Sequence, residues 1–174
     1  AIDKALEEWR QGDCVVQEQW FIHRFDLTAP LTEAAAEVAH EGVDIAETPE
    51  AGFVLLSQTC DIIRLWRDRP FVEVAPLVEV DEQILKEIAR GYRPRYGFIP
   101  GVADRNLVAD LDRVMTVEKS VVASWPRVPG CNTDEEATRF AQALSRYWAR
   151  FAFPDDFPTL VSKVRARPTA KHDR

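Results

Sequence analysis

Five consecutive polar or reactive side chains, Ser57-Gln58-Thr59-Cys60-Asp61, follow directly on the apolar run Phe53-Val54-Leu55-Leu56. A buried strand that ends this abruptly presents its last side chains to the surface on a rigid support, which is where chemistry is commonly placed. In such a position Asp61 is suited to act as a base, with Gln58 and Thr59 beside it as hydrogen-bonding groups. Cys60 is a candidate nucleophile wherever a neighbouring base favours its thiolate. A purely structural reading competes: Ser57 and Asp61 satisfy backbone groups in a turn, and Cys60 packs as a small apolar residue.

The second candidate constellation is Arg90-Gly91-Tyr92-Arg93-Pro94-Arg95-Tyr96. Guanidinium groups interleaved with phenol rings suit single-stranded RNA, because the cations hold phosphates while the rings stack on bases. This assigns Arg90, Tyr92, Arg93, Arg95 and Tyr96 to RNA contact, and Arg64, Arg67 and Arg69 extend the positive surface. The competing reading pairs these arginines with Asp81, Glu82 and Glu87, or offers them to an acidic protein partner.

Metal chemistry finds little support. Cys14, Cys60, His23 and Asp61 are ligand types, but none stands at the close spacing by which zinc sites announce themselves. No metal and no cofactor is therefore expected. Asp110 and Asp112 flank Leu111 and share a strand face, which suits acid–base work or a solvated edge equally. His40 and His172 are expected to be solvated. No GxxxxGK or GxGxxG segment opens a phosphate-binding helix.

The elements that must position these residues are short. The chain has 174 residues, 46% of them hydrophobic and 29% charged, which is ordinary for one globular domain spanning 1–174. Its apolar runs are far too short to cross a bilayer, so no membrane association is expected, and the start Ala1-Ile2-Asp3-Lys4 lacks a signal-peptide pattern. Three cysteines, Cys14, Cys60 and Cys131, with no CxxC pair, fit a reduced compartment. A cytoplasmic location is the expectation. The formal net charge of -7 argues against broad binding to nucleic acid and leaves room only for a local basic groove.

Ile2, Leu6 and Trp9 recur at helical spacing within residues 1–10. Cys14-Val15-Val16 opens a first strand that resumes at Trp20-Phe21-Ile22. Residues 31–40 read as a short helix capped by Thr32 or as a mobile insertion, and residues 48–52 as a turn. The strand 53–57 is followed by a second at 70–78, whose prolines predict an edge strand or strand ends. Residues 81–90 predict a helix with Ile84, Leu85 and Ile88 on one face and Gly91 past its end. Further strands are expected at 95–99 and 107–111. Asn132-Thr133-Asp134 caps a helix over 133–150, in which Phe140, Leu144, Tyr147 and Trp148 share a face. Trp66, Trp125, Trp148, Phe151 and Phe153 are expected to be core or interface residues, with Phe151-Ala152-Phe153-Pro154 anchoring a polar tail at 163–174. No internal repeat is present. The pattern predicts a β-rich α+β fold, an antiparallel barrel or an α+β roll, with a C-terminal helix and helical insertions.

Four segments together resemble, at a divergent level, the PemK/MazF family of toxin-type RNA endonucleases. Arg10-Gln11-Gly12-Asp13-Cys14-Val15-Val16 is similar to the family's opening RGD strand. Residues 52–57 are similar to its apolar VLVLS strand, and residues 72–77 (VEVAPL) to its VxVAPIT strand. The segment LDRVMTVEK at 111–119 resembles the family's LDQIRTVDK. The resemblance implies an SH3-like barrel, a homodimer, an antitoxin-like partner, and metal-independent cleavage of RNA through its 2′-hydroxyl. The family's catalytic Arg, placed before the apolar strand, and its Thr or Ser, closing the VAPIT strand, correspond here to Ala51-Gly52 and Leu77-Val78-Glu79. Catalysis by this chain therefore needs reassigned residues: Asp61 as base, Arg93 or Arg95 at the phosphate. The alternative is a non-catalytic interaction module that keeps the barrel.

Overall fold

The computed structural model describes residues 1–149, which form an α+β domain built on one main sheet. The anchor at residues 151–154, His172 and the tail 163–174 lie outside the described residues, as does the last position of the expected C-terminal helix. No helix among the described residues is long and apolar enough to cross a membrane.

The main sheet contains β1 (Cys14–Val15), β4 (Phe53–Leu55), β5 (Phe71–Glu79), β6 (Tyr96–Gly97), β7 (Leu107–Asp110) and β8 (Met115–Glu118). Its order is β1-β4-β5-β7-β6, with β8 also paired to β5, and all pairings are antiparallel. No pairing among the described residues joins β6 back to β1, so the sheet is open. A closed barrel is thus not what these ladders form.

Alternation explains why the strand at 53–55 reads as continuously apolar. Val54 packs with Cys14, Leu77, Ala109, Phe140 and Leu144 in one cluster, whereas Phe53 and Leu55 pack with Leu6, Trp9, Ile62, Val72 and Trp125 in another. Successive side chains of a strand point to opposite faces, so a strand covered on both faces must be apolar at every position. The N-terminal helix α1 (Ile2–Leu6) and the segment around Trp125 cover one face. The C-terminal helix covers the other through Phe140 and Leu144, each 2% exposed and each worth about 2 kcal/mol of burial.

β5 is the central strand, not the edge its prolines predict. Leu77 N–H donates to Gly52 and Leu56 N–H donates to Glu73, so the bonded positions of β5 facing β4 are odd-numbered. The Pro76 nitrogen therefore points away from β4. On that side β8 pairs only as far as Val74 and β7 begins at Leu77, so no ladder bond is lost. At Gly52 a Cβ would stand 1.9 Å from the Val15 carbonyl oxygen, which is why the close approach of β1 and β4 requires glycine.

The expected turn at 48–52 is instead mostly strand. β2 (Gln19–Arg24) and β3 (Ile45–Glu50) form a separate antiparallel ribbon in which Trp20 faces Pro49 and Phe21 faces Thr48. The first strand therefore does not resume in its own sheet. The ribbon docks on the domain through Phe21, with the Arg113 guanidinium 5.5 Å from its ring centroid and Glu50 paired to Arg113. The inserted helix α2 (Glu33–Ala39) is capped by Thr32 as expected, and α4 (Glu82–Ala89) by Asp81. The C-terminal helix α6 (Asp134–Trp148) starts at Thr133, whose hydroxyl accepts from Glu136 N–H while the Glu136 carboxylate accepts from Asn132 N–H at 2.7 Å.

Candidate functional site

After β4 the chain leaves the sheet at Leu56 and is fixed by hydrogen bonds from three directions. Ser57 Oγ accepts from Glu73 N–H at 2.9 Å. Gln11 donates its side-chain amide to the Leu56 carbonyl at 2.7 Å and its backbone N–H to the Thr59 hydroxyl at 3.1 Å. Thr59 opens a single-turn helix, α3 (Thr59–Ile62), anchored by the buried Ile62. Beneath that turn lies Lys119, 1% exposed, at the junction of β8 and the short helix α5 (Lys119–Val122). Its Nζ donates to the carbonyls of Asp61 at 2.8 Å and Arg64 at 2.5 Å. Burial lowers the Lys119 ammonium from its ordinary range.

These contacts aim Asp61 into a cleft of about 880 Å³ between the start of β5 and α6. There Asp61 Oδ1 meets Arg69 Nη1 at 2.7 Å; the carboxylate is 17% exposed and the guanidinium 49%. The second carboxylate oxygen has no hydrogen-bond partner among the described residues. Ser57, Gln58, Glu73 and Thr116 add polar groups, and Phe71 and Trp148 add half-exposed aromatic rings. The arrangement joins a carboxylate, the guanidinium paired with it and two half-exposed aromatic rings in one concavity.

The expected catalytic group is thus divided. Gln58 and Asp61 line the cleft. Thr59 instead spends its hydroxyl on holding the turn, and Cys60 is exposed, its only hydrogen-bond partner among the described residues being Gln58 at 3.7 Å. The cation at Asp61 is Arg69, not Arg93 or Arg95: Arg93 lines a second cleft and Arg95 pairs with Asp110 and Asp112.

The arginine–tyrosine cluster divides in a similar way. Arg95 binds the buried Asp110 through two hydrogen bonds of 3.0 and 3.2 Å, reaches Asp112 at 3.1 Å, and lies over the Tyr96 ring at 5.2 Å. Asp110 also accepts from Arg113 at 2.9 Å. Burial works to raise the Asp110 carboxyl, but these two guanidinium groups outweigh it and hold the acid below its usual range. Arg95 and Asp110 therefore secure the edge of the sheet. Asp112 accepts from the Tyr147 hydroxyl at 2.8 Å and ties in α6. Tyr92 is 72% exposed, and Arg93 pairs with Glu87 at 2.7 Å. Arg90, Arg93 and Tyr96 do come together, in a second cleft of about 600 Å³ on the other side of α6. The two clefts share no lining residue.

Asp13, within the segment similar to the RGD strand, is buried and structural. It accepts from Arg10 N–H at 2.8 Å, Arg127 Nε at 2.6 Å and Gly130 N–H at 3.3 Å. Burial, then Asp13 and Cys131, push the Cys14 thiol far up; burial and the Glu136 and Asp13 carboxylates push Cys131 up to about 11. Cys14, Cys60, His23 and Asp61 do not assemble, and no cluster of three metal-ligating side chains occurs among the described residues.

Lys119 and Arg69 carry roles that composition and spacing did not assign. Lys119 sits in the VEK segment at 117–119, where a lysine ending a strand reads as solvated, and Arg69 reads as one of several surface cations. No protein-family model matches this sequence, and comparison with curated proteins finds no match.

Proposed function

We propose that this protein is a toxin-like or defence-associated module that acts on RNA, cleaving it in the Asp61–Arg69 cleft. The observation that carries this reading is the 2.7 Å pair of Asp61 and Arg69 on the wall of that cleft, with one carboxylate oxygen left open. In the reaction Asp61 takes the proton of a ribose 2′-hydroxyl. The 2′-oxygen bonds to phosphorus as the bond to the 5′-oxygen breaks, and water returns a proton to that leaving oxygen. The products are a 2′,3′-cyclic phosphate and a 5′-hydroxyl end. Arg69 stabilises the charge that gathers on the phosphoryl oxygens. The four segments that resemble the PemK/MazF family fall in or beside β1, β4, β5 and β8, which pair in succession, and this supports a shared SH3-like origin for that half of the sheet.

Incubating the protein with a mixed RNA pool, with and without EDTA, and mapping new 5′ ends tests the proposal. EDTA-resistant cuts that disappear in Asp61→Asn and Arg69→Ala are the expected result. Absence of cuts under every condition overturns it in favour of a non-catalytic interaction module. One observation favours that second reading: Trp20, Ile22 and Ile45 share an exposed face of the β2–β3 ribbon, at 49%, 46% and 43% exposure.

A further inference from the structure

The second cleft is chemically unlike the rest of this acidic chain. Four arginines line it: Arg90 and Arg93 from the end of α4 and the loop beyond, Arg139 and Arg146 from α6. Glu136 is the one carboxylate on its wall, and its oxygen is engaged by Asn132 N–H. Arg93 and Arg139 are each paired with a neighbouring glutamate, Glu87 at 2.7 Å and Glu135 at 2.5 Å. Arg90 and Arg146 have no ion-pair partner among the described residues. Between the cations the floor is Tyr96, Phe98, Pro94 and Pro100, with Ile88 and Phe140 buried behind.

Helix geometry fixes how this groove relates to the first cleft. At roughly 100° per residue, Arg139, Ala143 and Arg146 fall on the side of α6 opposite Ala141, Ser145 and Trp148, which line the Asp61 cleft. Phe140 and Leu144 occupy the arc between them and enter the core. The two clefts thus lie on opposite sides of one helix, about 10–12 Å across with its side chains.

We infer that the second cleft is a binding subsite for a single-stranded nucleic acid segment flanking the scissile bond. Guanidinium groups at the rim take phosphates, and the aromatic and proline floor takes bases. The assignment rests on RNA being the ligand of the first cleft. An acidic peptide satisfies the cations but leaves the stacking floor unused, so nucleic acid is the better match.

A fluorescently labelled, uncleavable 2′-O-methyl RNA octamer, titrated at several salt concentrations, provides the test. The double variant Arg90→Ala/Arg146→Ala is expected to bind about tenfold or more weakly. Loss of two phosphate contacts should also flatten the slope of log affinity against log salt by about 1.4. Both side chains are exposed, so folding is expected to persist, and a thermal melt run alongside confirms it. Octamer binding with the same affinity and slope in the double variant overturns the inference, as does equal competition by polyglutamate at matched ionic strength. Loss of cleavage as the reading of the first cleft fails leaves octamer binding measurable, so the two ideas fail separately.

Discussion

Lys119 Nζ donates to the main-chain carbonyl of Asp61 at 2.8 Å, from a side chain only 1% exposed. The same ammonium reaches the Arg64 carbonyl at 2.5 Å. A one-turn helix such as α3 leaves carbonyls unpaired at its C-terminal end, where a positive charge is favourable. The start of α5 thereby holds the candidate base in place from across the fold. Without the cation, the carbonyls beneath Asp61 lose their donor inside the protein.

Replacing that ammonium tests whether it positions the cleft. Lys119→Met should cost about 1–3 kcal/mol in urea unfolding, since two part-buried carbonyls lose a charged donor. In the population that remains folded, RNA cleavage should fall as well. Lys119→Arg, which keeps the charge but cannot fit the same two carbonyls, should recover little of either. Unaltered cleavage by a stable Lys119→Met protein would refute the positioning role.

Asp61 and Arg69 should behave as a functional pair. Asp61→Asn is expected to lower the cleavage rate by about 10²–10⁴-fold, the usual worth of a positioned base. Arg69→Ala should lower it by about 10²–10³-fold, and the double variant by little more than the larger single loss, because both act on one transition state. Gel-based rates at saturating RNA give the comparison, and additive losses would show that the two act at different places.

Acid should weaken the sheet edge through Asp110. Its folded carboxyl titrates below the unfolded value, so its ion pairs contribute fully above that ordinary range and are lost as pH falls through the folded one. Stability of the unaltered protein should therefore drop below about pH 4, the ordinary aspartate range. Asp110→Asn should be less stable at neutral pH, by about 1–3 kcal/mol for the loss of charge-assisted hydrogen bonds to Arg95 and Arg113, and flatter on the acid side. Urea midpoints measured between neutral pH and pH 3 follow both effects.

The thiols should divide sharply. Iodoacetamide at neutral pH is expected to label Cys60, which is exposed, and to spare Cys14 and Cys131, whose burial disfavours the thiolate. Intact-mass and peptide analysis should find one adduct before unfolding and three after. Because Cys60 lies off the cleft wall, Cys60→Ser should leave RNA cleavage within about twofold, an expectation that holds for groups outside the reacting geometry.

Much of the local structure was legible in residue order. Thr32 and Thr133 each cap the helix that follows, because a cap is a contact within three residues and needs nothing from the rest of the chain. The apolar run at 53–55 became a core strand for the same reason, as did the helical spacing of Phe140 and Leu144. The group at 57–61 was legible as a strand end that presents polar side chains at the surface, since an apolar run ending in polar residues is a local pattern.

Contacts between distant residues were decided only by the tertiary structure. Pro76 sits in the central strand because β8 and β7 leave a gap opposite its nitrogen, and no local rule describes the ends of two other strands. Lys119 and Arg69 look like surface cations until the fold brings one beneath the α3 turn and the other against Asp61. Arg95 looks like a ligand for phosphate until Asp110, fifteen residues away, claims it. Composition and periodicity determine which segments become strands and helices, because those choices depend on neighbours along the chain. Which charged groups are left to act on a ligand depends on pairings across the sheet, and those exist only once it has formed.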